Sequence, residues 1–433
     1  MNTKGNSVLV VKLGTIELPD SVLAVARKLG EAVVIDVANI EAHRNGYDYA
    51  VLFGDPARLD AIDAVLALKP ARPFFIWWTC EELRGADLQR LTQRLRLNVL
   101  ISANGQKGVS LTTPEGGFIQ FGTEIEKLCE FLERRRAVSW FRTESDVSLV
   151  SPVPLEAREK ADELLRFAHS TRLLCNLNGN VAVRLQPTRA GATSFLVSPR
   201  GVNKAALLAA DLLKVAVDIE NRVVRCPDIS RKSSIDTGVL GTLFSRYPEL
   251  AFVLHFHPTE AIVLPVANTD FPFPCGTLEE AQELGRAIDR SERDSFLIEM
   301  VHHGFLLGGT EAFRGRLLAE WAETQDEYAD HLREIDEFDK LAESVQNPIF
   351  VGTKLLGVLN MHRDGWGSIY VRKAERGRKL GAQLASIAAN RGLTIGAHDL
   401  CRVAAFYRRL GWQESGRDGR MTYFAPPPVA RHG

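Results

Sequence analysis

The first hundred residues constrain the fold most, because five short apolar runs recur there with helix-patterned stretches between them. SVLVVK (7–12), EAVVIDV (31–37), YDYAVLF (47–53), PFFIWW (73–78) and LNVLIS (97–102) are rich in β-branched and aromatic residues. DSVLAVARKLG (20–30) and PARLDAIDAVLALK (56–69) instead space their apolar residues at a helical period. Strands that are apolar along their whole length are buried on both faces. Their alternation with helices predicts a parallel sheet covered on both sides.

The turn after the first run, KLGTIELPD, holds one glycine and no GxGxxG, so a dinucleotide site lacks its phosphate-binding turn. Residues 1–145 are expected to form a Rossmann-like or flavodoxin-like α/β domain. Its role is open between a scaffold or docking layer and a ligand site.

At 433 residues the chain exceeds what one core supports, which predicts two or three domains. Lys and Arg number 53 against 54 Asp and Glu, so no bulk charge attracts nucleic acid or an anionic membrane. The N-terminus lacks the apolar core of a secretory signal, and no apolar stretch is long enough to span a bilayer. Six scattered cysteines without a CxxC read as reduced thiols, and a cytoplasmic location is expected.

ESDVSLVSPVPL (144–155) has the polar, proline-containing character of a linker. A helical run, LEAREKADELLRFAHSTRLL (155–174), opens a second section to about residue 335. A long charged helix, roughly Arg314 to Ser344, closes it.

Within that section LHFHPTEAIVLP (254–265) places two histidines at alternate positions of an apolar strand. Side chains two apart share a face, so His255 and His257 project together. Two imidazoles so placed either hydrogen-bond at a strand end or ligate one metal ion.

Several further segments accompany the pair in order: CNLNGNVAVRL (175–185), SFLVSPRGVNK (194–204), RKSSIDTGVLG (231–241) and IEMVHHGFLLGG (298–309). Taken together over about residues 155–335 they resemble the class II aldolase/adducin family. The resemblance implies an α/β/α domain with a catalytic zinc, or another divalent metal, held by His255, His257 and His303. It implies a metal that polarises a carbonyl and stabilises an enediolate as a carbon–carbon bond breaks. His302 is left out, since in an extended segment it faces away from its neighbour. The substrate implied is a small anionic hydroxy-carbonyl compound, with Asn180, Ser198, Arg200, Gly201, Ser233 and Ser234 at the positions that bind its anion. Arg200 is open between gripping that anion bidentately and standing as an exposed loop arginine.

The acid/base position departs from the family pattern. Glutamate there follows paired serines, whereas this chain reads Ser233-Ser234-Ile235-Asp236. Counted back from His255, Asp236 takes the place; counted forward from the serines, Ile235 does. Asp236 is read either as the acid/base group or as the cap of the helix that follows. Related members are epimerases, dehydratases, decarboxylases or non-catalytic adducin-like assembly proteins. Such proteins are often homo-oligomers.

WGSIYVRKAERGRKLGAQLASIAANRG (366–392) reads as strand, basic loop and helix. It resembles the acetyl-CoA loop of GNAT acetyltransferases, which implies a GNAT-like α+β domain over residues 345–433. Arg376, Gly377, Arg378 and Gly381 match that loop, while Lys379 replaces its first glycine and either crowds a phosphate or adds an ammonium to it. AAFYRRLGWQESG (404–416) resembles the closing motif, with Tyr407 at the general-acid position and Leu400 where asparagine is usual. This section either uses acetyl-CoA or packs as a remnant. The leading expectation is a metal-dependent aldolase-type lyase, with an N-acyltransferase or a non-catalytic assembly protein as alternatives.

Overall fold

A computed structural model describes residues 6–13, 17–43, 47–54, 74–80, 98–104, 108–114, 117–174, 177–185, 193–257, 262–265, 267–292, 294–337, 339, 344–363, 365–376, 380–401 and 403–427. The chain forms two compact units. One comprises Met1–Ser139, Phe271–Glu280 and Val301–His303; the other comprises Trp140–Asp270, Ala281–Met300 and Gly304–Gly433.

The first unit is built on a seven-stranded sheet of β1 (Ser7–Lys12), β2 (Glu31–Asp36), β3 (Tyr49–Phe53), β4 (Phe74–Thr79), β5 (Val99–Asn104), β6 (Gly108–Thr112) and β7 (Phe118–Gly122). The strand order is 2-1-3-4-5-6-7. The first five pair in parallel, as expected, but the edge strand β2 is largely exposed and not buried on both faces. β6 and β7 add two antiparallel strands, so the sheet is mixed where an all-parallel one was expected. Helix α1 (Asp20–Leu29) covers it with Val22, Val25, Ala26 and Leu29, and α2 (Ile125–Arg136) with Leu128, Cys129 and Leu132. The stretch 56–69, expected to be helical, lies outside the described residues.

The segment Phe271–Glu280 is held in this unit by several contacts. Phe271 and Phe273 join its apolar core. Arg134 lies 4.1 Å above the Phe271 ring, and the buried Arg135 donates to the Pro272 carbonyl. Leu278 N donates to Ser139 O at 2.9 Å.

The second unit holds two sheets. Strands β8 (Arg142–Ser145), β9 (Asn180–Arg184), β10 (Thr193–Val197), β11 (Leu213–Asp218), β12 (Val223–Cys226) and β13 (Phe252–Phe256) belong to the first of them. β15 (Ala267–Asn268), β16 (Ser295–Met300) and β17 (Gly304–Gly309) complete it, giving the order 15-16-17-13-9-10-11-12-8. Residues 144–155 are not a plain linker, because β8 pairs with β12 along this sheet's edge. Helices α3 (Leu155–Ser170), α4 (Thr237–Arg246) and α5 (Leu278–Asp289) follow the helical spacing of their apolar residues.

The long helix α6 spans Glu311–Glu334, ten residues short of the expected end at Ser344, where a strand begins instead. Thr310 caps it by accepting from Phe313 N, and Phe313, Leu317, Trp321, Thr324, Tyr328 and Leu332 form one buried stripe. A helix of this length runs about 36 Å. Its first half packs in the core beneath β9 and β13, and its second half meets Tyr370.

The other sheet of this unit contains β14 (Ile262–Leu264), β18 (Ser344–Val351), β19 (Lys354–His362), β20 (Trp366–Val371), β21 (Thr394–His398), β22 (Gln413–Asp418) and β23 (Met421–Ala425). Helix α7 (Leu380–Asn390) links β20 to β21, and the short α8 (Ala404–Arg409) precedes β22. The strand order is 14-18-19-20-21-23-22. Its edge strand β14 comes from the middle of the chain and pairs in parallel with β18, Val263 opposite Phe350. The two sections therefore share a sheet. Val263, Phe350, Leu355 and Val358 lie in one core with Leu164, Phe252 and Trp321. Phe350 is fully buried. Phe350→Ala is expected to cost about 3–5 kcal/mol, read as a lower unfolding midpoint reported by tryptophan fluorescence.

Candidate functional site

β13 carries the histidine pair. His255 is buried and His257, just past the strand end, is half-buried. Their Nε2 atoms lie 3.0 Å apart and their rings meet edge-on, so the alternation inferred from sequence does bring the imidazoles together. Antiparallel pairing of β13 with β17 sets Phe256 opposite Phe305, and the Phe305 carbonyl oxygen lies 3.1 Å from His255 Nδ1. A carbonyl only accepts, so His255 donates from Nδ1 and turns the lone pair of Nε2 toward His257. Burial pulls the His255 pKa down to about 4, partly offset by the Phe305 bond, which favours the neutral ring that ligates metals.

Two glycines make room for this pair. A Cβ on Gly304 would stand 2.7 Å from the Phe256 carbonyl oxygen, 3.3 Å from His255 Cε1 and 3.4 Å from His257 Cε1. Gly179 adopts φ +80°, and a Cβ there would lie 2.5 Å from the His255 carbonyl oxygen. Only glycine serves that turn at no cost.

On the other side of β13, β9 places Asn180 directly opposite His255. Asn180 is fully buried and donates from Nδ2 to Asp236 Oδ2 at 2.6 Å. Asp236 stands at the cap position of α4, yet its side chain makes no capping bond. The capping alternative is thus corrected: the carboxylate is turned to Asn180. Ile235 is exposed and apolar, which leaves Asp236 as the acid of this segment.

The predicted anion-binding residues also gather here. Pro199 bridges Ser233, Ser234 N donates to Ser198 O at 3.1 Å, and Arg200 N donates to Lys232 O at 2.8 Å. Ser198, Ser233 and Ser234 are buried, Arg200 and Gly201 are exposed, and Gly201 takes φ +72°. The Ser198 hydroxyl already accepts from Val181 N at 3.4 Å. Sequence reasoning passed over Lys204, although it fastens this loop. Its buried ammonium donates to Pro199 O at 2.7 Å and Val202 O at 3.2 Å. Burial lowers its pKa, and the field of Asp236 works against that lowering.

His303 belongs to the turn Val301–His303 of the first unit. Its Nδ1 lies 3.7 Å from Glu280 Oε1, and its Nε2 lies 3.3 Å from Cys275 Sγ. Glu280 is legible in the sequence only as the end of a Thr-x-x-Glu capping signal, and Cys275 carries no signal. His302 is exposed with φ +57°, in a turn and not the extended segment expected.

In the last section the structure describes two of the four expected acetyl-CoA residues. Gly377 and Arg378 lie outside the described residues. Arg376 is exposed and donates from Nε to Val371 O at 3.0 Å, and Gly381 lies in α7. Tyr407 is buried among Trp412 and Phe424, and burial raises its pKa. That is a packing environment, and it gives the general-acid expectation no support.

Residues 163–324 match the family model described as the class II aldolase and adducin N-terminal domain. A class II aldolase/adducin domain therefore occupies that part of the chain, within a mixed α/β protein. No curated protein matches the chain. Among solved structures it is similar to an aldolase II superfamily protein from Pseudomonas syringae at 20% identity, covering 40% of this chain and 75% of that one, with a TM-score of 0.31. It is also similar to L-fuculose 1-phosphate aldolase from Glaciozyma antarctica PI12 at 17% identity, covering 40% and 74%, TM-score 0.26. A third is YgbL, a putative aldolase/epimerase/decarboxylase from Escherichia coli, at 20% identity, covering 37% and 82%, TM-score 0.27. Among the described residues no helix is long and apolar enough to cross a membrane.

The glycine beside the two imidazoles supplies a test. Gly304→Ala is expected to shift the ring resonances of His255 and His257 and to cost about 1–3 kcal/mol. Gly201→Ala, where a Cβ meets nothing within 4 Å, is expected to leave those resonances in place.

Proposed function

We propose that this protein is a divalent-metal-dependent lyase of the class II aldolase type, acting on a small anionic hydroxy-carbonyl compound. The observation that carries the reading is the convergence of His255 and His257 through Nε2, with His255 oriented by the Phe305 carbonyl. Such a carbonyl partner on the second ring nitrogen is the usual arrangement around a metal-ligating histidine. His303 is proposed as the third ligand from its place in the family's motif order. A bound divalent cation, zinc by donor type, supplies polarisation of a substrate carbonyl and stabilises the charge that develops as a carbon–carbon bond breaks.

The chain's own groups do the remaining work. Asp236 is the proposed proton carrier, held by Asn180 through Oδ2. Arg200 and the loop from Ser198 to Gly201, locked by Lys204, present the donors for the substrate's anionic group. Ser233 and Ser234 support that loop from behind through backbone contacts. Related epimerase, dehydratase or decarboxylase chemistry would use the same site, and a homo-oligomer is the assembly proposed.

A second reading concerns residues 345–433. Strand β20, the connecting loop and helix α7 follow in the order that the acetyl-CoA resemblance requires. That order supports a GNAT-like domain whose helix start would meet a pyrophosphate. The 2-1-3-4-5 parallel order in the first unit likewise supports a flavodoxin-like domain at residues 1–145.

Elemental analysis of the purified chain is expected to find at least one divalent ion, with occupancy falling in His257→Ala. Asp236→Asn is expected to keep the metal and lose roughly 100- to 10,000-fold in kcat on phosphorylated or carboxylated aldols. A chain that stays metal-free after reconstitution overturns the lyase reading. Calorimetric titration with acetyl-CoA checks the second reading, and no heat of binding would remove it.

A further inference from the structure

The second unit contains a group of side chains that neither reading above uses. Helix α6 buries Tyr328 and Leu332 in its stripe, and His331 stands beside them with Glu334 three residues on. The His331 ring lies against Tyr370 of β20, with centroids 5.3 Å apart. The short turn Asp399–Cys401 follows directly on β21. It sets Cys401 Sγ 3.7 Å from His331 Nε2, while Glu334 Oε2 lies 3.9 Å from His331 Nδ1. One ring nitrogen thus faces a thiol and the other a carboxylate.

A nucleophile needs this arrangement: a thiol, a base within reach of its proton, and a third group that orients the base. Such contacts are looser without substrate than in the working complex. The Glu334 side chain is 65% exposed, so solvent screens its pull and its part is to orient the ring. Burial raises the Cys401 pKa and the Arg376 guanidinium works against that rise, so the sulfur is a thiol at neutral pH and requires a base. Burial lowers the His331 pKa. Arg376, His398 and Lys373 add to the lowering and Glu334 opposes it, which leaves a neutral ring able to accept a proton.

An independent observation points to a ligand here. Leu400 N donates to His398 Nδ1 at 3.2 Å, so the neutral His398 ring carries its proton on Nε2. That side chain is 2% exposed, and its Nε2 makes no hydrogen bond among the described residues. Glu337 Oε1 stands at 4.0 Å, beyond hydrogen-bond reach. A buried donor without an acceptor is costly, and a ligand oxygen supplies the acceptor. Cys401 is half-buried and Leu400 before it is exposed, which leaves the sulfur within reach of a small molecule.

We propose that Cys401, with His331 as its base and Glu334 as a positioning residue, is a nucleophile that takes the acyl group of an activated ester or thioester. Sγ bonds to the carbonyl carbon as the bond to the alkoxide or thiolate leaving group breaks. The thiol proton passes to His331 Nε2 and from there to the leaving group. The Nε2–H of His398 is assigned to the carbonyl oxygen, where negative charge develops. Water then attacks the thioester on Cys401, gives a proton through His331 to Sγ, and releases the carboxylic acid. No step needs the β13 histidines or acetyl-CoA, so this inference stands or falls apart from both readings above.

The test follows p-nitrophenolate release when the full chain, kept reduced by a phosphine, is mixed with p-nitrophenyl acetate. A burst stoichiometric with the chain is expected, with the acetyl group found on Cys401 by peptide mass spectrometry. The burst rate is expected to rise with pH through the lowered His331 pKa and then level off, because only the neutral ring accepts the thiol proton. Cys401→Ser is expected to abolish the burst. His331→Asn is expected to slow it about 100-fold and to remove the midpoint from the pH profile, which loss of packing alone would not do. Absence of a burst, an acetyl group on any other cysteine, or a burst that survives in Cys401→Ser overturns the proposal. So does His331→Asn with the wild-type rate and pH profile. Peptide mapping of the wild-type chain decides the residue even where a variant fails to fold.

Discussion

The antiparallel ladder between β13 and β17 is the constraint on which the histidine site depends. Alternation along β13 gives two imidazoles one face, but it does not orient either ring. Orientation comes from across the ladder, where the Phe305 carbonyl takes the Nδ1 proton of His255 and leaves Nε2 for its partner. Gly304 lets the two strands close to that distance. On the opposite edge of β13, β9 brings Asn180 level with His255, and Asn180 in turn holds Asp236. The proposed ligand and proton carrier are therefore spaced by two adjacent strands. Strands central in a nine-stranded sheet resist displacement more than loops do.

Buried polar groups around this ladder show how the surrounding loop is stiffened. Lys204 spends its ammonium on two carbonyl oxygens of its own loop, Pro199 and Val202. His169 on α3 meets the Lys204 carbonyl through Nε2 at 2.8 Å, which ties the loop to a helix of the core. An uncompensated buried ammonium is costly, and this one has donors engaged and an acid in its field. The loop that carries Arg200 is thus rigid at its base and exposed at its tip. That combination suits a group that must meet a ligand without rearranging.

Much of the architecture was legible from residues alone. All five apolar runs at the start of the chain are strands, each within two residues of its expected bounds, because period and β-branching are local properties. β6 and β7 are not legible in the same way, since GVSLT alternates over only five residues and FIQFG does not alternate. The histidine pair was legible for the same local reason. The partners that give it meaning were not: Phe305, Asn180 and Lys204 act through register and loop closure across many intervening residues. Asp236 was left between two roles because both an acid/base group and a cap demand the same residue at the same place. The structure lacks the capping bond, which removes the cap reading and leaves the acid/base role as the proposal made above. Cys275 could not be found at all, for a single cysteine has no periodicity to betray it.

The origin of β14 has a consequence for the order in which the molecule can be completed. Synthesis runs from the N-terminus, so Ile262–Leu264 leaves the ribosome well before Ile349–Val351 exists to pair with it. The aldolase/adducin segment, residues 163–324, is fully synthesised while one of its own strands still lacks its neighbour. β13 lies only a few residues upstream, so the chain just past the two histidines is fastened at its far end last. A nascent chain paused between these points carries a nearly finished site beside an open strand edge. Arrival of Ile349–Val351 is what closes that edge.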